Sequence, residues 1–202
     1  MPTPPVPSVE IAGVARAHAA LAATIVGLTD QTARQPSRLP GWSVGHVLTH
    51  VARNADSVVR RLAGAVAGEV VDQYEGGAPG RERAIQDGAG RPAAELVADV
   101  LSTNRAVEDA LAGAPAEAWD RLTRSVGGEE IPARAVVFLR WGEVEVHHVD
   151  LALGYRAADW PDDLVELWLP RAEEQFLRTA DRRELLAWLV GRGQAPRLAP
   201  WG

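Results

Sequence analysis

Four long stretches of this chain repeat apolar residues at the three- and four-residue spacing of an α-helix, and that repeat most narrows what the chain can fold into. From Ser8 to about Leu28, the residues Ile11, Val14, His18, Leu21, Ile25 and Leu28 fall on one side; Ser8 is placed to cap this helix and Glu10 sits in its first turn. After the Pro40-Gly41 turn signal, Ser43 is placed to cap a second helix over about 44–67, with Val47, His50, Val51, Asn54, Val58 and Leu62 on one broad face. A third helix is expected from near Pro92, a good first-turn residue, to Ala112. A fourth is expected from about Pro132 to Leu153, with Gly154 at its C-terminal cap position. Between them, Ala78 to Asp87 reads as a short helix, Pro115 to Arg124 as a helical turn, and Ser125 to Glu130 as a loop or small hairpin. Beyond Asp162 the pattern predicts two or three shorter helices, with Pro170 breaking or restarting one of them, and then an irregular tail from Gln194. The expected fold is mainly α: a helix bundle over 1–158 followed by a short, mostly helical segment over 159–202.

Composition then removes whole classes of chemistry. Among 202 residues there is no cysteine, which rules out disulfide scaffolds, thiolate zinc fingers, iron–sulfur sites and a cysteine nucleophile. All 21 basic residues are arginine, so there is no Schiff-base lysine and no phosphate-loop lysine. With 27 acidic residues the net charge is −6, which argues against a nucleic-acid partner. No apolar run reaches the roughly 18 residues of a membrane span, and residues 1–7 are proline-rich without the form of a signal peptide, so a cytoplasmic location without membrane contact is expected. A monomer or homodimer is expected.

Any metal must therefore be held by His, Asp and Glu. Four of the five histidines fall in two pairs, His46/His50 on the second helix and His147/His148 on the fourth. Glu143 lies four residues before His147, so both point from one helical face. With His50 from a facing helix they would form a three-ligand site that leaves a position open for catalysis. A rival set pairs His46 with His50. A Glu and a His at this spacing also occur as an ordinary solvated pair, and His50 alone fits a hydrogen-bonded core histidine. His148 is turned about 100° from His147 and reads as structural, as does His18. Asp150 either orients the His147 ring or solvates the helix end. Trp42 and Trp141 read as packing residues.

Two segments carry a family resemblance. The run from Leu39 to Val51 (LPGWSVGHVLTHV) and the run from Arg140 to Leu151 (RWGEVEVHHVDL) resemble the second- and fourth-helix motifs of the DinB-like, mycothiol-dependent maleylpyruvate isomerase family. The second is an Arg-x-x-Glu-x-x-x-His-x-x-Asp pattern on Arg140, Glu143, His147 and Asp150. The resemblance covers most of residues 8–155. It implies a four-helix bundle with a divalent metal, often zinc, on His50, Glu143 and His147. His46 departs from it, because many relatives have an acidic residue there. Leu185 to Gly193 resembles the last helix of the α/β domain that relatives often add, yet residues 162–185 are too few for its sheet, so a reduced appendage is expected. By the same resemblance Arg192 is the candidate catalytic arginine, contacting an anionic substrate; an exposed arginine favourable to a helix end is the plainer alternative.

The implied activity uses a small thiol, mycothiol, because the chain has no thiol of its own. A metal favours its thiolate form. As an isomerase the enzyme would add the thiol across the cis double bond of maleylpyruvate, allow rotation, and eliminate it to give fumarylpyruvate. As an S-transferase it would leave the thiol on an electrophile. Metal-assisted hydrolysis and a non-catalytic metal- or ligand-binding bundle complete the alternatives.

Overall fold

The computed structural model describes residues 6–196. Among the described residues eight α-helices run in chain order: α1 (Ser8–Ile25), α2 (Asp30–Ala33), α3 (Val44–Ala67), α4 (Gly77–Ala89), α5 (Ala93–Gly113), α6 (Ala133–Asp150), α7 (Asp162–Thr179) and α8 (Arg182–Leu189). The bundle is built from α1, α3, α5 and α6: α3 packs on α5 and α6, and α1 packs on α6 and α5. Leu21, Leu48, Leu62, Val100, Val137 and Trp141 are all fully buried among them. At residue 13 the α1 backbone approaches the Trp141 ring so closely that any Cβ would fall within 2.6 Å of it, which is why glycine stands there. A two-stranded antiparallel hairpin, β1 (Leu122–Arg124) with β2 (Glu130–Pro132), leads into α6, with Thr123 paired to Ile131.

Helix α3 has the expected bounds because both ends carry strong signals. The Ser43 hydroxyl accepts the His46 N–H, and the His46 ring nitrogen Nδ1 accepts the Ser43 N–H in return, forming a capping box. Gly68, at φ 80°, takes the left-handed conformation that closes the helix.

Several boundaries differ from the expectation. Pro7, not Ser8, occupies the N-cap of α1, and Ser8 is already helical. The first helix stops at Ile25 rather than Leu28, since Thr29 caps the separate turn α2 by accepting the Thr32 N–H at 3.1 Å. Pro92 precedes α5 as its N-cap, and α4 runs slightly beyond the expected 78–87, from Gly77 to Ala89. The fourth long helix ends at Asp150, not Leu153, and beyond it both Ala152, at φ 58°, and Gly154, at φ 103°, take positive φ. Its end is set from outside the helix: the Asp150 carbonyl accepts the Arg38 N–H at 2.8 Å. Pro170 neither breaks nor restarts a helix but lies within α7. There it forgoes one bond to the Glu166 carbonyl, and both residues are exposed, so solvent compensates.

The chain divides into two compact units that part after Asp159. The second unit consists of α7 and α8 and has no strand among the described residues. Most of the expected irregular tail lies outside the described residues. Among the described residues no helix is long and apolar enough to cross a membrane.

Candidate metal centre

The packing of α3 on α6 brings three donors together. His50 Nε2 lies 3.1 Å from Glu143 Oε2, and His147 Nε2 lies 3.4 Å from the same oxygen. The two imidazoles stand edge to face, centroids 4.6 Å apart at 89°. One ligand atom from each of the three residues lies within 4.8 Å of the others. The i,i+4 spacing of Glu143 and His147 supplies two donors from one turn of α6, and His50 supplies the third from α3.

Hydrogen bonds around the trio fix which nitrogens face inward. Arg81 Nη2 lies 3.4 Å from His50 Nδ1; a guanidinium only donates, so Nδ1 accepts and Nε2 carries the proton towards Glu143. His147 Nδ1 lies 2.9 Å from Asp150 Oδ2, so its ring is held between two carboxylates. The edge of His50 rests against the Trp42 ring, centroids 5.7 Å apart.

These surroundings set the charges. Burial opposes ionisation of Glu143, but hydrogen bonds from His147 and His50 hold its carboxyl well below the usual carboxylate range. Burial likewise opposes a charge on His147, yet the hydrogen bonds to Asp150 and Glu143 prevail and push the imidazole up to about 9. His50 is lowered, chiefly by burial, and stays neutral. Without an ion, then, the site holds a proton on His147 to balance two carboxylates. A group of two imidazoles and a carboxylate that draws positive charge in this way suits a divalent cation, and Asp150 is the outer carboxylate that orients such a ligand ring.

Arg140, one turn before Glu143, is fully buried in a polar network that reaches all four bundle helices. It donates from Nη1 to the Val51 carbonyl and to Asn54 Oδ1, both at 2.9 Å, and from Nη2 to Asn104 Oδ1 at 2.7 Å. Its Nε donates to His18 Nε2 at 3.2 Å. That fixes the His18 proton on Nδ1, which faces Glu108 at 2.9 Å, and burial next to Arg140 keeps the ring neutral, its pKa pushed down to about 2. His18 therefore has a structural partner, although none stands near it in sequence.

The remaining candidates lie elsewhere. His46, the rival ligand, uses Nδ1 in the α3 capping box and sets Nε2 3.3 Å from Gln86, so the His46/His50 pair is not what the fold assembles. His148 faces away from the trio, with Nε2 2.7 Å from Thr24 Oγ1 and its ring stacked on Tyr155 at 3.8 Å. Arg192 is exposed in the second unit and donates to the carbonyls of Val190 and Gly191 at the end of α8. Sequence reasoning missed Arg81, whose contact with His50 spans 31 positions, and gave Arg140 no role beyond its place in a motif.

Residues 14–152 match the family model described as the mycothiol maleylpyruvate isomerase N-terminal domain. Two solved structures share the architecture: a crystal structure of the mycothiol-dependent maleylpyruvate isomerase, TM-score 0.75, and one of its histidine-to-alanine mutant, TM-score 0.73. Each is 21% identical to this chain over 79% of it and 66% of the matched chain. The chain thus spans just under two thirds of the length of the structures it matches. No curated protein matches the sequence.

Proposed function

Because the chain belongs to the mycothiol maleylpyruvate isomerase N-terminal domain family, we propose that it is a divalent-metal-dependent enzyme that works with a small thiol, mycothiol, with His50, Glu143 and His147 as the metal ligands. The observation that carries this reading is the convergence of those three donors from α3 and α6, backed by Asp150. A bound divalent ion, zinc being the expected one, supplies the positive charge that favours a thiolate at neutral pH.

The chain's own groups prepare that position. Asp150 holds the His147 ring by Nδ1 and so presents Nε2 to the centre. Glu143 contributes a full negative charge, held ionised by its neighbours. Trp42 packs against the His50 ring, centroids 5.7 Å apart. In the isomerase reaction the substrate's cis double bond becomes a rotatable single bond on addition of the thiol across it. Loss of the same thiol and proton returns the trans alkene, so nothing is consumed. In the S-transferase alternative the thiol stays on an electrophile and its leaving group departs. Arg192 remains the candidate contact for a substrate anion on the strength of the resemblance alone; Arg192→Gln should then raise KM for an anionic substrate, and an unchanged KM removes it.

Zinc-loaded protein given mycothiol and maleylpyruvate should convert the cis to the trans alkene without consuming thiol. Thiol loss with a generic electrophile instead assigns transfer. No thiol-dependent turnover of either would overturn the enzymatic reading. Glu143→Gln and His147→Ala should both lose stoichiometric zinc on elemental analysis, and retention by both would overturn the ligand assignment.

A further inference from the structure

Next to the metal trio, a cleft of about 360 Å³ opens between α3 and α4, lined among others by Arg53, Asp56, Arg60, Tyr74, Glu75 and Arg81. Its size suits a small molecule. Its charges are not equally engaged. Arg53 is paired with Asp56 at 3.1 Å and with Asp99 at 2.6 Å, and Asp99 pairs with Arg91 at 2.6 Å as well, so these two arginines and two carboxylates balance one another. Arg60 donates Nε to the Asp72 carbonyl and, among the described residues, forms no ion pair. Arg81 likewise has no carboxylate partner among the described residues; its one polar contact is the long bond to His50 Nδ1. Glu75 is exposed and forms no ion pair there either. Two arginines free of carboxylate partners therefore face one free carboxylate.

The contact between Arg81 and His50 holds only while His50 Nδ1 is an acceptor. A neutral imidazole whose Nε2 binds a cation carries its proton on Nδ1. Nδ1 then becomes a donor facing the Arg81 donor across 3.4 Å, and the guanidinium must leave. It lines the neighbouring cleft, so the cleft is where it can turn.

We propose that Arg81, with Arg60 beside it, is a carboxylate-binding anchor adjoining the metal centre, and that metal binding at His50 releases Arg81 onto a carboxylate of the substrate. Metal and carboxylate ligand then bind cooperatively, each favouring the other by the same factor. This rests on the metal reading proposed above and adds to it the residues in the first unit that would hold the substrate's carboxylate.

The test is isothermal titration of maleate into zinc-loaded and zinc-free protein, as wild type, Arg81→Met and Arg81→Gln, with zinc content measured alongside. Wild type should bind maleate at least about tenfold more tightly when zinc-loaded, and both variants should lose that gain while keeping one zinc per chain. The variants should also bind zinc more tightly than wild type without maleate, since the cationic competitor for His50 is gone. If maleate binds the zinc-loaded variants as tightly as wild type, its carboxylate sits on the metal or elsewhere, and the proposal is overturned. Should wild type take up no zinc, the metal reading fails, and the coupling with it. The anchor would then be judged by the zinc-free protein, where equal maleate affinity in wild type and Arg81→Met refutes it.

Discussion

Proton competition at His147 gives the sharpest test of the metal centre. At pH 7 Glu143 is ionised and His50 is neutral, while His147, at about 9, carries a proton between Glu143 and Asp150. An ion bound by the trio must release that proton to solvent, while the His50 proton only moves from Nε2 to Nδ1 within its ring. With one proton leaving a group of pKa about 9, apparent metal affinity rises about tenfold per pH unit until the pH reaches that value. Between pH 6 and pH 8 the gain is roughly two decades, or about 3 kcal/mol. Zinc titrations in buffers of different ionisation enthalpy should accordingly report one proton released per ion at pH 7. In Asp150→Asn the imidazole loses one of the two carboxylates that raise it, so proton release at pH 7 should fall below one and the pH slope should flatten early. The same variant should lose about 10- to 100-fold in affinity at pH 9, because the ring is no longer oriented. A flat affinity between pH 6 and pH 8, or no proton released at pH 7, would refute the electrostatic account. The ion-free protein supplies an independent sign. A raised histidine pKa stabilises the fold below the ordinary histidine value near 6.5 and loses that contribution as the pH rises through about 9, so this part of its stability should decline on the alkaline side.

Two further outcomes separate structural from functional histidine and arginine. Arg140→Met keeps the bulk but leaves His18, Asn54, Asn104 and the Val51 carbonyl without their donor; at about 1–3 kcal/mol for each unsatisfied group, urea melts should show a loss of at least about 3 kcal/mol, and a loss under about 1 kcal/mol would contradict the network. His46→Ala removes half of a capping box and should cost about 1 kcal/mol in the same melts while zinc stoichiometry stays at one; loss of zinc would restore the rival ligand pair.

What could be read in advance depended on how local the cause was. Helix α3 was legible to the residue because Ser43 and Gly68 mark its ends within the sequence that forms it. The end of α6 was not. Leu151 and Leu153 continue the apolar pattern, while the stop comes from Arg38, more than a hundred positions earlier. The convergence of His50, Glu143 and His147 was legible because two of them sit one turn apart and the third lies on an apolar face. The task of His46 was hidden, since a capping box is normally signalled by Glu or Gln at that position and not by histidine. The Arg140 network was hidden for the same reason as the end of α6: its partners stand 36, 86, 89 and 122 positions away, and no periodicity records them.

That network bears on the order of events in the life of the chain. Its guanidinium engages α1, α3 and α5 from α6 one turn from Glu143, and it does so with side chains and a carbonyl alone. The register of α6 against α3 is therefore held by groups other than the three proposed ligands. If the trio binds an ion as proposed, a chelator should strip it while leaving the helices in place.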